Sequence, residues 1–370
     1  MTYLQNHAQW FLPLLLIIAI VAACDKDDPV KPPPLPTVTV VEQQQIGFED
    51  KLAVAMDLED PYLYVAAGSA GIWRRDIRSL TDWEYLGLAD SILGHYLKVG
   101  ATDLDVFGQD ILVAFVKNNL GVDPDSTIGI WRSTTAGSNW FRSDSGIPET
   151  IEDGFSIIEG IGRSPHNPAI VFSCLEGNIY KSTNGGNNWS MIRGEQGILL
   201  GQGYLEWHPY REGEAWFFGD DALFAAYLFS RRNYGDQHGG SVPWFEDIGF
   251  PSDSAVYDVG FDSGDPDIIY ALTSMGLIKA TDGGYDWQVG GFEFPDGAAY
   301  NVLGDPLHPG ITYFCGSNRL YYSNNGARDI YTLTEIDTGY VMTMLFDKSQ
   351  REVIIGTTAG IYLVKIAYEY

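Results

Sequence analysis

The sequence has few basic residues, and this limits its possible partners. Of 370 residues, 22 are Lys or Arg and 49 are Asp or Glu, which gives a formal net charge of −27. A nucleic-acid binder needs a basic face that displaces counterions from phosphates. The basic residues here form no cluster larger than pairs such as Arg74-Arg75. The composition therefore argues against nucleic acid and anionic membrane surfaces as partners.

The sequence also lacks the short motifs that mark common catalytic and metal sites. It contains no HExxH, no GxSxG and no cluster of Cys and His with metal-ligand spacing. We therefore expect neither a metal ion nor a cofactor, and we assign no catalytic residue. Long helical periodicity is absent after Ala23 as well, so the main domain is predicted to be all-β.

One hydrophobic run is present, at the N-terminus. Phe11 to Ala23 is too short to span a bilayer core of ~30 Å, which needs about 20 residues, but it fits the apolar region of a secretory signal. The residues VAAC at 21–24 resemble a bacterial lipobox, which implies that Cys24 becomes the lipidated first residue. The sequence thus predicts a lipoprotein signal peptide at 1–23.

The segment 24–36 is acidic and rich in proline, which predicts an extended tether. Its residues DKDD at 25–28 resemble the export signal of surface lipoproteins of the Bacteroidetes type. This resemblance implies a lipid-anchored, surface-exposed protein of the outer membrane, with a periplasm-facing orientation as the alternative. Residues 37–370 then form the remaining domain.

A repeated pattern runs through residues 37–370. A glycine followed by apolar and aromatic residues recurs after short β-rich runs, for example AGIWRRD at 70–76 and AGIYLVK at 359–365. Most repeats are about 40–60 residues apart, which is the spacing of four-stranded propeller blades. One double-length gap, between Gly177 and Gly276, is predicted to contain a divergent blade at 204–250. The sequence therefore predicts a seven-bladed β-propeller with four-stranded antiparallel blades.

Polar turns that contain Pro precede many of the repeated strands. Asp or Asn at such positions caps the backbone of a tight turn. We therefore interpret four recurrent carboxylates as hairpin residues and not as an acid/base cluster: Asp57, Asp262, Asp305 and Asp347.

A second recurrent turn is rich in Ser, Asn and Gly and ends in Trp, as in STNGGNNW at 182–189. We place it between the third and fourth strands of a blade, where glycine supplies positive φ and the polar side chains bond the backbone of the turn. It resembles the Asp-box of sialidase-type and BNR-repeat propellers, which implies a structural role. The matching residues are Ser133, Gly137 and Trp140; Ser182, Asn184, Gly186 and Trp189; and Asp282, Gly284 and Trp287. Tyr322, Asn324 and Gly326 are expected to keep the turn without the Trp.

The last blade ends soon after its third strand, at Tyr370. The segment at 37–48 resembles outer strands elsewhere in the chain, so we expect it to complete the last blade and close the ring, because an incomplete blade would leave an unpaired edge. Cys174 and Cys315 fall on the second strands of opposite blades. They are therefore predicted to be reduced and buried, beyond disulfide reach.

The sequence favours a binding protein over an enzyme. Sialidases need an arginine triad and a Tyr/Glu nucleophile pair, and neither is recognisable here. Carboxylates on predicted innermost strands mark no pair with defined separation: Asp103, Asp105, Glu159 and Asp258. The resemblance over 37–370 is closest to non-catalytic photosystem II assembly-factor-like and BNR-repeat propellers. It implies an envelope lipoprotein that binds a protein or a glycan; the alternative is a carbohydrate-active hydrolase or lyase with carboxylates at the central funnel.

The largest departure from the repeat lies at 230–244, with the sequence SRRNYGDQHGGSVPW. It is expected to replace a tight turn by a longer loop. Arg and Tyr are residue types that contribute strongly to interfaces. We therefore predict a partner-binding surface formed by Arg231, Arg232, Tyr234 and His238.

Overall fold

The structure, a computed structural model, describes residues 35–89, 100–118, 129–148, 155–175, 178–193, 203–219, 229–233, 255–284, 286–289, 294 and 299–370. Residues Pro36–Glu369 form one compact unit. Cys24 and the predicted signal peptide lie outside the described residues. In the part of the chain that is described, no helix is long and apolar enough to cross a membrane.

The described residues form an all-β propeller of antiparallel sheets. The first four-stranded sheet contains β2 (Ala55–Glu59), β3 (Tyr62–Ala66), β4 (Ile72–Asp76) and β5 (Glu84–Gly87). Two more have the same order: β17 (Val256–Phe261), β18 (Ile269–Thr273), β19 (Gly276–Ala280) and β20 (Trp287–Val289), then β21 (Asn301–Gly304), β22 (Thr312–Gly316), β23 (Arg319–Ser323) and β24 (Tyr331–Glu335). Each sheet is a meander whose strands follow chain order, as the repeat predicts.

One sheet has eight strands and joins two of the predicted blades. Its first meander is β6 (Ala101–Phe107), β7 (Asp110–Asn118), β8 (Gly129–Ser133) and β9 (Phe141–Arg142). Its second is β10 (Phe155–Arg163), β11 (Val171–Leu175), β12 (Asn178–Ser182) and β13 (Ser190–Arg193). The end of β7 extends past its pairing with β6 and pairs with the start of β10, so that Asn118 is opposite Phe155.

The predicted divergent blade appears as three strands in the described residues. They are β14 (Gly203–Trp207), β15 (Glu214–Gly219) and β16 (Phe229–Asn233). The described chain therefore forms six sheets, where the sequence predicts seven separate blades. The difference arises because the pairing of β7 with β10 merges two meanders into one sheet.

The N-terminal strand pairs with the C-terminal strand in the last sheet. This sheet has the order β1 (Thr37–Gln45), β27 (Gly360–Glu369), β26 (Glu352–Thr357) and β25 (Val341–Asp347). The register places Thr37 opposite Glu369 and Gln45 opposite Tyr362. The outer strand of this sheet therefore comes from the opposite end of the domain to its other three strands.

The core is divided among the interfaces between successive sheets. The second strands are buried on both faces, which explains their continuous apolar character. Tyr313 packs in a cluster with Val353 of the following sheet, whereas the next residue, Phe314, packs with Tyr270 of the preceding sheet. The last and first sheets also share a cluster, in which Ile354 packs with Leu63. Cys174 and Cys315 are buried on second strands and form no disulfide among the described residues, so this prediction is confirmed.

The contribution of β1 to stability is testable with two valines of this strand. Val38 is 2% exposed within the core cluster, whereas Val41 is 61% exposed. We expect Val38→Ala to lower the free energy of unfolding by about 2 kcal/mol, because two buried methyl groups are lost. Val41→Ala should change it by about 0.5 kcal/mol or less. Chemical denaturation measures both, and equal effects would contradict the role of β1 in the core.

Candidate functional site

The innermost strands line a cavity at the centre of the propeller. Its volume is about 320 Å³, within the lower range of ligand sites. It is bounded by residues of β2, β6, β14, β17, β21 and β25, with one residue of β15. The lining residues are Val54, Ala55, Met56, Thr102, Asp103, Tyr204, Leu205, Glu206, Phe218, Tyr257, Asp258, Tyr300, Asn301, Met342, Thr343, Met344 and Leu345.

Two aspartates in the cavity bridge neighbouring innermost strands in the same way. One oxygen of Asp103 accepts the N–H of the next residue at 2.8 Å, and the other accepts the N–H of Ile161, on β10, at 2.9 Å. Asp258 repeats this geometry: it accepts the N–H of the next residue and that of Val302, on β21, both at 2.8 Å. Each carboxylate thus uses both oxygens to join strands of successive meanders.

A second level of carboxylates lies further along the innermost strands. Asp57 accepts the N–H of the next residue at 2.7 Å and that of Val106, on β6, at 2.6 Å. Asp105 accepts the N–H of Arg163 at 2.7 Å and lies 3.2 Å from the guanidinium of the same residue. The interpretation of Asp57 as a hairpin residue is therefore wrong, because Asp57 lies on β2 and bridges two innermost strands.

The channel environment raises the pKa values of these carboxyl groups. Burial is the largest cause for Asp57, Asp103 and Asp258, and their main-chain hydrogen bonds only partly oppose it. The result is a pKa of about 7 for each of the three groups. Burial also raises the pKa of Asp105, although the positive charge of Arg163 opposes the shift.

Glu206 differs from the other channel carboxylates. Its side chain is accessible to water in the channel, yet protein surrounds it, and this enclosure raises its pKa well above the ordinary value. The carboxylates of Asp258, Asp103 and Asp57 raise it further. No hydrogen bond to the Glu206 carboxylate forms within the described residues. Among the described channel carboxylates, Glu206 is therefore the one whose oxygens are available to a ligand.

The other three predicted hairpin carboxylates do cap hairpins. Asp262, Asp305 and Asp347 are buried at the ends of innermost strands, where each accepts main-chain N–H groups of its own turn. They also reach neighbouring sheets. Asp262 accepts the N–H of Gly310 at 2.6 Å, Asp305 accepts the hydroxyl of Tyr368 at 2.6 Å, and Asp347 forms an ion pair with Arg78. These groups are structural.

The Ser/Asn/Gly turns lie between the third and fourth strands of their meanders. Buried Ser182 accepts the N–H of Gly186 at 2.9 Å, and Ser133 accepts the N–H of Gly137 at 2.9 Å. Asn184 accepts the N–H of Asn188 at 3.0 Å, and Asp282 accepts the N–H of Asp286 at 3.0 Å. The glycines have φ near +90°, which a side chain rarely adopts.

The tryptophans of two of these turns also connect successive meanders. The indole N–H of Trp189 donates to Ser143 O at 2.7 Å, and that of Trp140 donates to Leu86 O at 2.7 Å. Both acceptors belong to the preceding meander, so these two side chains reach beyond the turn that the sequence assigns them to. Trp287 instead donates within its own turn, to Gly284 O at 3.0 Å.

The turn at 323–329 has a different register from the expected one. Ser323 accepts the N–H of Ala327 at 3.0 Å, and Asn325 accepts the N–H of Asp329 at 3.0 Å. The turn positions are therefore one residue later than the predicted Tyr322, Asn324 and Gly326. Ala327 takes the positive-φ position that glycine occupies in the related turns, with φ of 66°.

The predicted partner-binding residues are placed only in part. Arg231 and Arg232 belong to β16, a strand that pairs with β15, and not to the expected loop. Tyr234 and His238 lie outside the described residues. The binding role of all four remains a prediction. Among the described residues, no group of three or more His, Cys, Asp and Glu side chains is arranged to hold a metal ion.

Comparisons with known proteins identify the fold. No protein-family model and no curated protein matches the chain. The solved structure of YCF48 from Cyanidioschyzon merolae is similar, with a TM-score of 0.60, 14% identity and coverage of 87% of this chain and 98% of that one. YCF48 bound to D1 peptide has a TM-score of 0.60, 12% identity and coverage of 89% of this chain and 99% of that one. The expected resemblance to photosystem II assembly factors is therefore confirmed for the propeller fold.

The electrostatic coupling in the channel is testable with a substitution at Glu206. The pKa of Asp57, Asp103 and Asp258 is about 7 in the folded protein, whereas the ordinary value is 3.8. Between these two pH values the folded state therefore binds more protons than the unfolded state. The stability contributed by these groups therefore falls as pH rises through that window. Glu206→Gln removes one neighbouring negative charge, so we expect it to stabilise the protein near pH 8 and to lose this effect near pH 5.

The matched control is Glu212→Gln, which changes an exposed carboxylate in the turn after β14. Thermal unfolding across the pH range measures both variants. A Glu206→Gln variant that is destabilised near pH 8, or that follows the control at every pH, would contradict the coupling.

Proposed function

We propose that this protein is a non-catalytic cell-envelope lipoprotein whose propeller binds a partner protein. The observation that carries this proposal is the use of the channel carboxylates. Both oxygens of Asp57, Asp103 and Asp258 accept main-chain N–H groups, and Glu206 alone among the cavity carboxylates has no such bond in the described residues. Glycoside hydrolysis needs two free carboxyl groups at a defined separation. Within the described residues, the channel offers one.

A protein partner is supported by the similar propeller that is described in complex with D1 peptide. The identity to this chain is 12%, so the similarity concerns the fold, and the partner of this chain is a proposal. A glycan partner is the second form of the binding hypothesis. The partner-binding residues predicted from the sequence, Arg231, Arg232, Tyr234 and His238, remain candidates for this role.

We further infer a closed ring of seven blades with Asp-box turns. The eight-stranded sheet consists of two four-stranded meanders, and counting them separately gives seven units. The pairing of β1 with β27 and the cluster that joins the last and first sheets support closure. The serine-centred turns, with their positive-φ glycines and following tryptophans, support the Asp-box assignment.

The proposed location depends on lipidation of Cys24. The lipobox-like VAAC and the acidic tether support an outer-membrane lipoprotein that faces the cell surface, with a periplasmic orientation as the alternative. We expect the full chain to incorporate a labelled fatty acid in a bacterial envelope and to fractionate with membranes. Cys24→Ser should abolish both the label and the membrane association. Cys174→Ala, which changes a buried cysteine of β11, should leave both intact, and label retained in Cys24→Ser would contradict the assignment.

The binding function is tested by purification from native membranes after chemical cross-linking. We expect a protein to co-purify in defined proportion with the wild-type chain. Mass spectrometry identifies it, and enzymatic removal of glycans from the sample determines whether the contact is with protein or sugar. Recovery of the propeller alone, under cross-linking conditions that capture a known envelope complex, would contradict the proposal.

The alternative function, a carbohydrate-active hydrolase or lyase, is favoured by one observation. Carboxylates of β2, β6, β14 and β17 approach one another in the channel, with Tyr204, Tyr257 and Tyr300 in the same cavity wall. A panel of oligosaccharides incubated with the wild-type chain distinguishes the two functions. Turnover that Glu206→Gln abolishes would replace the binding proposal by the enzymatic one.

A further inference from the structure

The cavity contains hydrogen-bond acceptors that the fold leaves unused. The Glu206 carboxylate has no hydrogen bond within the described residues, and the buried Oδ1 of Asn301 also has no partner there. Both residues line the cavity, and none of its described lining residues is Lys, Arg or His. Unused acceptors without a nearby donor favour a ligand that brings N–H groups and positive charge.

The wall near the start of the innermost strands is aromatic and apolar. Tyr257 and Tyr300 meet edge to face, with ring centroids 5.5 Å apart, and Met342 lies in the same wall. Tyr300 is 46% exposed and Met342 is 38% exposed. Tyrosine faces and thioethers pack well against the aliphatic part of a long side chain, and aromatic faces attract its cationic end.

Exposed side chains at the rim of this end of the cavity extend the surface that a bound peptide segment would contact. Tyr340, directly before β25, is 70% exposed. Met275, 48% exposed, lies in the turn after β18, where Ser274 donates its N–H to Ala255 O beside the start of β17. A small cation would bind within the cavity without reaching these side chains. A protein segment would contact both the cavity and the rim.

We propose that this end of the channel receives an arginine or lysine side chain from a segment of a partner protein. The cationic group lies against Glu206 and Asn301, and the aliphatic part packs on Tyr257, Tyr300 and Met342. The net charge of −27 attracts such a segment at long range. This inference rests on the proposed protein-binding function and names the chemistry of the partner at the channel.

The test uses the full chain and fluorescent peptides with blocked termini. One set has a central Arg or Lys with Leu, Tyr or Gly neighbours, and the matched set carries citrulline or acetyl-lysine at the same position. We expect fluorescence anisotropy to show binding of the cationic set alone, weaker at higher ionic strength. Glu206→Gln should weaken it by about tenfold, because a charge-assisted hydrogen bond is lost.

Two pairs of variants control for unspecific effects. Tyr300→Ala should weaken binding, whereas Tyr331→Ala, which removes a side chain of equal 46% exposure on β24, should not. Glu212→Gln should bind as the wild type does. Loss of binding through unfolding is recognised by circular dichroism, and Glu206→Gln is the variant that we expect to be stabilised near pH 8.

Several outcomes would overturn the inference. They are equal binding of the charged and neutral sets, no binding of any peptide in the cationic set, or wild-type affinity in both Glu206→Gln and Tyr300→Ala. Methylguanidinium or butylamine that binds as tightly as the peptides would indicate a small-cation site instead. Native co-purification that persists in these two variants would retain the protein-binding function while rejecting this site.

Discussion

The propeller depends on carboxylates that satisfy the free edges of three innermost strands, β6, β10 and β21. An innermost strand pairs on one side with the second strand of its meander, which leaves N–H groups on its other side without a ladder partner. Asp103 and Asp258 supply acceptors for these groups on the next meander, and Asp57 does so one level further along. The same bonds join successive meanders. The hydrogen bonds that satisfy the strand edges therefore also help to assemble the propeller.

This constraint explains how structural use of carboxylates makes the channel acidic. One oxygen of each aspartate accepts an N–H of the next innermost strand, and the other accepts the N–H of the following residue on its own strand. This arrangement places several carboxyl groups around one enclosed space. Their burial then raises the pKa values to about 7, and for Asp57 and Asp103 the negative charge of neighbouring carboxylates adds to the shift. A raised pKa often indicates catalysis. Here the hydrogen bonds show that structural use of the carboxylates produces the same signal.

The sequence predicts features that are local and repeated, and it misses those that depend on neighbouring blades. The turn at 182–189 can be predicted from the sequence because its Ser and Asn side chains form hydrogen bonds with the backbone of the same turn. Asp57 is misassigned because its hydrogen-bond partner, Val106, lies in another meander. The residues that surround Asp57 in the sequence give no sign of this contact. The pairing of β7 with β10, the reach of Trp189 to Ser143 and the register at Ser323 are missed for the same reason, since each is set by packing.

Glu206 shows how a binding site can arise within such a scaffold. Glu206 lies on the innermost strand β14, and its side chain is not used as an acceptor for the next strand within the described residues. Substituting it therefore removes charge from the channel without removing a bond between meanders. The carboxylates that hold the propeller together cannot change in this way, because each loss would expose a strand edge. Among the described channel carboxylates, Glu206 is thus the one whose substitution costs the scaffold no bond between meanders.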